Sequence, residues 1–381
     1  MAPVYYHEGK FPPQTLDWQR LVPLITPAAI AVARLDGTMQ AIPNAHLLLS
    51  PLLKQEAVLS SRIEGTQATL IEVLQYEAGM SPKKFSPQRL EDIKEIQNYQ
   101  RALEQATILL DKWPICFRLI SEAHRILMDS VRGSDKAAGK YRVIQNHIGS
   151  PGCSVENSRF IPVSAMQLPE AMGRWEQFVN HQQFYDPFVQ AAIVHAEFEA
   201  IHPFLDGNGR IGRMLIPLFL VQKGVLKAPT LYVSEYFERF RQEYVDRLLA
   251  VSKEDDWTGW CEFFLIAIKK QAEINQKRAE EIINLYQRSK ETFAALLNSR
   301  LTIFVLDFLF CFPIFNAKMM KDYLEKHISI TYESVRRFIK CLLDGGIIMP
   351  DKGNLEKKSG KYIFTELLDI TDSFDRFINQ I

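Results

Sequence analysis

The sequence predicts a mainly α-helical protein with a few short β elements, and three observations carry that reading. Apolar residues recur at helical spacing over most of residues 27–187. A long, charged, amphipathic stretch at residues 263–298 repeats the pattern. Extended character is confined to short segments near residues 159–163 and 347–364.

Each element follows from its residues in order. Residues 1–26 carry prolines and read as irregular. Leu52, Leu53, Ala57, Leu59 and Ile63 line one helix face; so do Leu90, Ile93, Ile96 and Tyr99, and then Phe117, Ile120, His124, Leu127 and Met128. Residues 139–162 are rich in Gly, Ser, Asn and Pro, with an extended edge expected over Arg159–Val163. Pro187 opens a helix through Val189, Ile193 and Phe198, and another runs over Met214–Val221. In residues 263–298, Ile266, Ile274, Ile282, Ile283, Leu285 and Phe293 supply the packing face. Beyond them, Ile303–Phe310 reads as a buried helix, and Asn316–Lys326 and Thr331–Leu343 as two shorter ones. Ile347–Met349 and Tyr362–Phe364 read as strands around a basic tip, so the tail is a winged-helix-like candidate.

A chain of 381 residues has room for two or three domains with a sizeable core. Lys plus Arg equals Asp plus Glu at 45 each, which excludes a basic nucleic-acid binder overall but not a local patch. The 5 cysteines lack C-x-x-C spacing and fit reduced thiols in the cytoplasm rather than a disulfide framework or zinc site. The first residues lack a signal-peptide pattern. The apolar run Ile303–Phe315, broken by Asp307 and Pro313, falls short of the ~20 residues that cross a bilayer, so no membrane partner is expected.

Residues 202–213 read His-Pro-Phe-Leu-Asp-Gly-Asn-Gly-Arg-Ile-Gly-Arg. Glycines on either side of Asn208 allow unusual backbone angles, so successive N–H groups can face one concavity. Such a nest at a helix N-terminus binds anions. Arg210 and Arg213 add fork-shaped donors suited to phosphate. Asp206 is a hard oxygen ligand of the kind Mg²⁺ accepts beside substrate phosphates. His202 can act as a general base near neutral pH. These parts point to a nucleotide-phosphate site with a base beside it.

This dozen resembles the signature of the Fic family, H-P-F-x-[DE]-G-N-G-R-x-x-R, at every fixed position. Ser60-Ser61-Arg62-Ile63-Glu64-Gly65 is similar to the family's inhibitory pattern [ST]-x-x-x-E-[GN], with Ser60 and Glu64 one helical turn apart and Gly65 ending the helix. The resemblance implies a helical-bundle core with a β-hairpin flap, and a division into an N-terminal region with an inhibitory helix (1–105), the core (106–262), a linking helix (263–298) and the winged-helix-like tail (299–381). It also implies an adenylyltransferase that moves AMP from ATP to Ser, Thr or Tyr hydroxyls of proteins, itself included.

In that scheme His202 is the base and Asp206 holds Mg²⁺. Gly207, Asn208, Gly209, Arg210, Ile211, Gly212 and Arg213 bind the phosphates, with the Asn208 side chain on a phosphate oxygen. Ser60, Glu64 and Gly65 form a brake in which Glu64 reaches Arg213. Ser158, Arg159, Phe160, Ile161 and Pro162 form the flap edge that holds a target by backbone pairing. Tyr232, Tyr236 and Tyr244 border the adenine. The family commonly has Trp where His147 stands and a second Pro where Val163 stands.

Other readings stay open. Another phosphate-containing group could move, or AMP could be removed with Glu64 orienting a water. The tail could make the protein a transcriptional regulator with a nucleotide-sensing site: Tyr332, Ser334, Arg336, Arg337 and Lys340, with Lys352, Lys357, Lys358 and Lys361 on the wing, suit DNA or protein contact. The long helix allows a homodimer. His195, Glu197 and Glu199 read as packing or network residues.

Overall fold

In a computed structural model, residues 2–42, 48–131, 137–150, 152–181, 186–351 and 360–371 are described. In chain order the elements are β1 (Val4–Tyr5), α1 (Trp18–Gln40), α2 (Ser50–Ile63), α3 (Leu70–Glu77), α4 (Pro87–Leu110), α5 (Phe117–Leu127), β2 (Phe160–Ile161), α6 (Leu168–Asn180), α7 (Pro187–Ile201), α8 (Asn208–Gln222), α9 (Ser234–Arg239), α10 (Arg241–Glu254) and α11 (Trp257–Leu297). The tail continues with α12 (Thr302–Cys311), β3 (Ile314–Asn316), α13 (Ala317–Leu324), α14 (Tyr332–Asp344), β4 (Met349–Pro350), β5 (Lys361–Ile363) and α15 (Thr365–Thr371). The mainly helical expectation holds.

Two compact units emerge: residues 1–37, 59–66 and 97–275 form the first, and residues 38–58, 67–96 and 276–381 the second. This differs from four consecutive stretches, because the divisions fall inside the long helices α1, α2, α4 and α11.

In the first unit α7 is the central helix. It is apolar around most of its circumference and buried along nearly its whole length, as a helix surrounded by others must be. It packs against α6 and α8. Two indoles fasten it: Trp175 Nε1 donates to the Val194 carbonyl at 2.9 Å and Trp260 Nε1 to the Ala192 carbonyl at 2.7 Å. Asp186 caps its start, accepting from the Phe188 and Val189 amides, with Pro187 in the first turn where a missing N–H costs nothing.

The N-terminus corrects the irregular reading of residues 1–26. Val4 and Tyr5 pair in parallel with Phe160 and Ile161, and α1 starts at Trp18 with Pro23 and Pro27 inside it. An interior proline costs about 3 kcal/mol. Leu21, Ala28, Val32 and Leu35 are fully buried on one face of α1, and burying each Leu or Val contributes about 1.5–3 kcal/mol. Tertiary burial therefore outweighs the proline penalty. By length and composition alone α1 is also long and apolar enough to cross a membrane.

In the second unit the tail runs helix, strand, helix, helix, strand, strand, helix. β5 lies between β3 and β4, antiparallel to both, pairing Phe315 with Tyr362 and Pro350 with Tyr362. The sequence reading had α12, α13, α14 and two strands but neither β3 nor α15. Pro313 stops α12, and its carbonyl accepts from the Phe364 amide at 2.8 Å, which leads the chain into the sheet. Phe308, Phe310, Phe315, Val335, Phe338 and Phe364 fill the core. Tyr332, Arg336, Arg337 and Lys340 stand exposed on α14, and Ser334 partly so. Lys352, Lys357 and Lys358 lie outside the described residues.

Candidate active site

The motif turns a corner between α7 and α8. His202 ends α7 in a left-handed conformation (φ 52°, ψ 63°), rare for a residue with a Cβ. Arg142 braces it. That buried guanidinium donates from Nε to the His202 carbonyl at 2.9 Å, to the Ile201 carbonyl at 3.2 Å, and to the Val163 carbonyl, while its own amide bonds the Pro203 carbonyl at 3.0 Å. Burial pushes Arg142 down to about 10. Strain at one residue is thus held by donors from another segment.

The His202 tautomer follows from its partner. Nδ1 lies 3.2 Å from the Glu199 carbonyl, which can only accept, so Nδ1 carries the hydrogen and Nε2 keeps its lone pair. Burial is the main reason its imidazole sits at about 4; the Glu199 carbonyl and the charges of Glu64 and Asp206 pull the other way. At neutral pH His202 is an uncharged base with Nε2 free to take a proton.

The loop after it is locked from inside. Asn208 Oδ1 accepts from the Phe204 amide and its Nδ2 donates to the Phe204 carbonyl, both at 2.8 Å. These two bonds fix the orientation of the buried amide and leave its second N–H, the donor that the expected phosphate contact requires. Gly207 begins α8 at φ 78°, where a Cβ would also meet Met128 Sδ at 3.1 Å and His124 Nε2 at 3.3 Å. His124 receives the Gly139 amide on Nδ1 at 2.8 Å and donates from Nε2 to the Asp206 carbonyl at 2.9 Å. Its ring stacks on Phe204 at 3.7 Å. The first-turn amides of α8 and its dipole then face one cradle.

Glu64 occupies that cradle. Its Oε1 lies 2.7 Å from Arg213 Nη2, and a Cβ on Gly209 would sit 2.2 Å from the same oxygen. Arg213 is fully buried. Its Nε donates to Ser60 Oγ at 3.0 Å and its Nη2 to the Ser60 carbonyl at 2.7 Å. Burial alone would raise the Glu64 carboxyl; Arg213, with Arg210 and His202 behind it, outweighs that and holds it below the usual range. Gly65, at φ 102°, ends α2. Arg241 reaches over from α10 and donates from Nε and Nη2 to the Ile63 carbonyl at 3.2 and 3.0 Å, capping the helix end with a cation.

Asp206 Oδ1 accepts from the Gly207 amide at 2.7 Å and lies 3.4 Å from Arg210 Nη2. No cluster of three metal-ligating side chains occurs among the described residues. A single carboxylate fits a cation that is bound mostly by substrate phosphates and water, as Mg²⁺ usually is.

The other predicted residues divide. Phe160 and Ile161 are flanked by Val4 and Tyr5 on one side, and Phe160 bridges to Ile148 on the other. Ser158 is buried with its hydroxyl on the Val155 carbonyl at 2.6 Å, and Arg159 pairs with Asp246. Tyr244 is buried beside Phe237, and its hydroxyl meets His195 Nε2 at 2.8 Å. That places Tyr244 inside the aromatic core rather than on an open pocket wall. Tyr232 is nearly buried, while Tyr236 is half-exposed against Phe240. Arg142, Arg241 and the loop-locking role of His124 were not legible in the sequence, where each is one polar residue on a helix or in a loop.

A lone-pair-bearing imidazole beside a helix N-terminal anion cradle, with two arginines and a carboxylate, is an arrangement suited to binding a phosphate chain and deprotonating a nucleophile. Comparison with known proteins agrees. Residues 22–108 match the Fic/DOC family N-terminal model and residues 114–220 the Fic/DOC family model. Together they span about half the chain, which belongs to the Fic/DOC family. It is 29% identical over 96 residues to a probable protein adenylyltransferase of Aquifex aeolicus, covering 25% of this chain and 30% of that protein. It is 28% identical over 221 residues to protein adenylyltransferase Fic of Drosophila grimshawi, covering 55% of this chain and 41% of that one. The matched region thus spans less than half the length of these curated relatives. A Fic family protein from Desulfovibrio desulfuricans shares the fold with a TM-score of 0.59 at 20% identity, over 93% of this chain and 98% of that one.

Proposed function

We propose that the protein is an adenylyltransferase that transfers AMP from ATP to a Ser, Thr or Tyr hydroxyl of a protein, restrained by Glu64. The observation that carries this is the pairing of a neutral, tautomer-defined His202 with an anion cradle that an internal carboxylate already fills. The relatives named protein adenylyltransferases support it.

In the reaction, His202 Nε2 accepts the hydroxyl proton as the oxygen attacks the α-phosphorus. The bond to the β-phosphate oxygen breaks and pyrophosphate leaves. Arg210 and the first amides of α8 stabilise the charge that develops, and Arg213 seats the terminal phosphate. Asp206 would hold Mg²⁺, which supplies charge neutralisation on the phosphates. Most of the rate comes from positioning and fixed electrostatics, as in other phosphorus-centred transfers. With Glu64 on Arg213, the terminal phosphate loses its seat and meets a like charge.

The test incubates wild type, Glu64→Gly and Glu64→Gly/His202→Ala with Mg²⁺ and α-labelled ATP and reads label on protein. Label in the single variant and none in the double is expected. No label in any of them, with ATP binding confirmed, overturns the transfer reading.

For the tail, the helix and strand order and the exposed Tyr332, Arg336, Arg337 and Lys340 on α14 favour a winged-helix-like module that contacts DNA or protein. DNA duplex retarded in a gel at low salt and released at high salt would support the DNA form; no retention at low salt would exclude it.

A further inference from the structure

A second carboxyl stands beside Arg213. Glu199 lies on α7, three residues before His202, and its backbone carbonyl is the one that sets the His202 tautomer. Its side chain turns toward the motif helix. A Cβ on Gly212 would fall 2.1 Å from Glu199 Oε1 and 3.1 Å from its carboxyl carbon, so glycine at 212 is what makes room for the acid. Oε1 is buried and has no hydrogen-bond partner among the described residues.

The charged and titratable groups facing Glu199 are few. Arg213 faces it from α8, Glu64 from the end of α2, and Tyr244 from α10. The Tyr244 hydroxyl is held by His195, also on α7, whose Nδ1 bonds the Gly212 carbonyl at 3.0 Å. Two carboxyls therefore share one guanidinium. With Glu64 bonded to Arg213, that positive charge is already matched. Ionised as well, the buried Glu199 would add desolvation cost without a partner, and burial holds its proton up to about 8. The two acids are pushed apart by one environment, Glu64 ionised and Glu199 neutral.

We propose that Glu199 is a positioning residue for Arg213, a buried reserve counter-ion that ionises when Glu64 leaves and is reprotonated when nucleotide phosphate takes Arg213. This rests on the reading of Glu64 as a brake. Departure of Glu64 leaves a fully buried cation, which is costly when unpaired. Glu199 then releases its proton to solvent and keeps Arg213 oriented in the cradle. An arriving terminal phosphate restores the like charge, and Glu199 takes one proton back from solvent. Nucleotide binding to the released protein is thereby coupled to uptake of up to one proton.

The test is calorimetric titration of Glu64→Gly and Glu64→Gly/Glu199→Gln with Mg²⁺ and α,β-methylene ATP, an analogue that cannot transfer AMP. Buffers of different ionisation enthalpy at pH 7.5 read the proton count. Glu64→Gly should take up close to one proton, and its affinity should weaken as pH rises from 7 to 9. The double variant, whose amide stands for the neutral acid, should lose both effects. Equal proton uptake by the two variants, with Glu64→Gly binding more tightly than wild type, overturns the role of Glu199 and leaves the brake intact. Wild type and Glu64→Gly binding alike, with the same uptake, overturns both. A pH-independent affinity in Glu64→Gly alone overturns the proposal without the second variant.

Discussion

Acidifying the protein from pH 7 toward pH 5 should strip much of the stability from the unit that carries the motif. His202 and His124 are held at about 4 and His195 at about 3, in each case chiefly by burial. A free imidazole titrates near 6.5. Below that pH the unfolded chain binds three protons that the folded one refuses, so the stability these rings contribute is present above about 6.5 and lost as pH falls toward 4. Glu199 works in the opposite sense. Its carboxyl, held up to about 8, keeps a proton in the folded state that the unfolded chain releases above about 4.5. The net difference grows from about half a proton at pH 6.5 to about two at pH 5, on average about 1.4, or about 2 kcal/mol per pH unit. Over that interval the loss is about 3 kcal/mol, a large share of the 5–15 kcal/mol by which domains are stable.

The assay is selective, because Trp18, Trp113, Trp175, Trp257 and Trp260 all lie in the first unit. Urea unfolding followed by tryptophan fluorescence should show a midpoint lower by about 1–2 M at pH 5 than at pH 7. An unchanged midpoint would refute the reasoning, since it would mean that the three rings are protonated in the folded protein.

Three further outcomes are expected. Glu64→Gly should raise label transfer from ATP about 10- to 150-fold, the range that corresponds to losing a charge-assisted hydrogen bond worth about 1.5–3 kcal/mol; equal rates in wild type and variant would remove the brake. Arg241→Ala takes the cation from the end of α2, a contact worth about 0.3–1 kcal/mol, and should raise basal transfer about two- to fivefold, with an unchanged rate counting against a role in holding the brake. Asn208→Ala leaves the buried Phe204 amide and carbonyl unpaired, at about 1–3 kcal/mol for each. Its fluorescence-monitored melting temperature should drop by about 5–15 °C, and a drop under 2 °C would show that the loop closes without the amide.

The sequence alone determined the helical class and the corner at residues 202–213, while the partnership of Glu64 with Arg213 came from the resemblance to the Fic family's inhibitory pattern. Those features are local or strongly patterned. Helix periodicity is written in neighbouring residues, two glycines around Asn208 announce a loop whose amides converge, and an acid one turn after Ser60 shares its helix face. What the tertiary structure decided was everything carried by a single polar residue from a distant segment. Arg142 holding the left-handed His202, Arg241 closing the end of α2, and His124 clamping the Asp206 carbonyl each join segments far apart in the chain. No spacing rule foretells which long side chain will end beside which backbone carbonyl.

The same limit explains the misreadings. Asn208 read as a phosphate ligand, and the sequence did not show that its amide also closes the loop on Phe204. Tyr244 looked like a pocket wall, yet it supports Arg213 from within the core. Residues 1–26 read as irregular for their prolines, yet burial on one face of α1 secures a helix from Trp18 with Pro23 inside it. Residue type and local pattern fix what a group can do, but its partners are set by packing among elements that meet only in the folded chain.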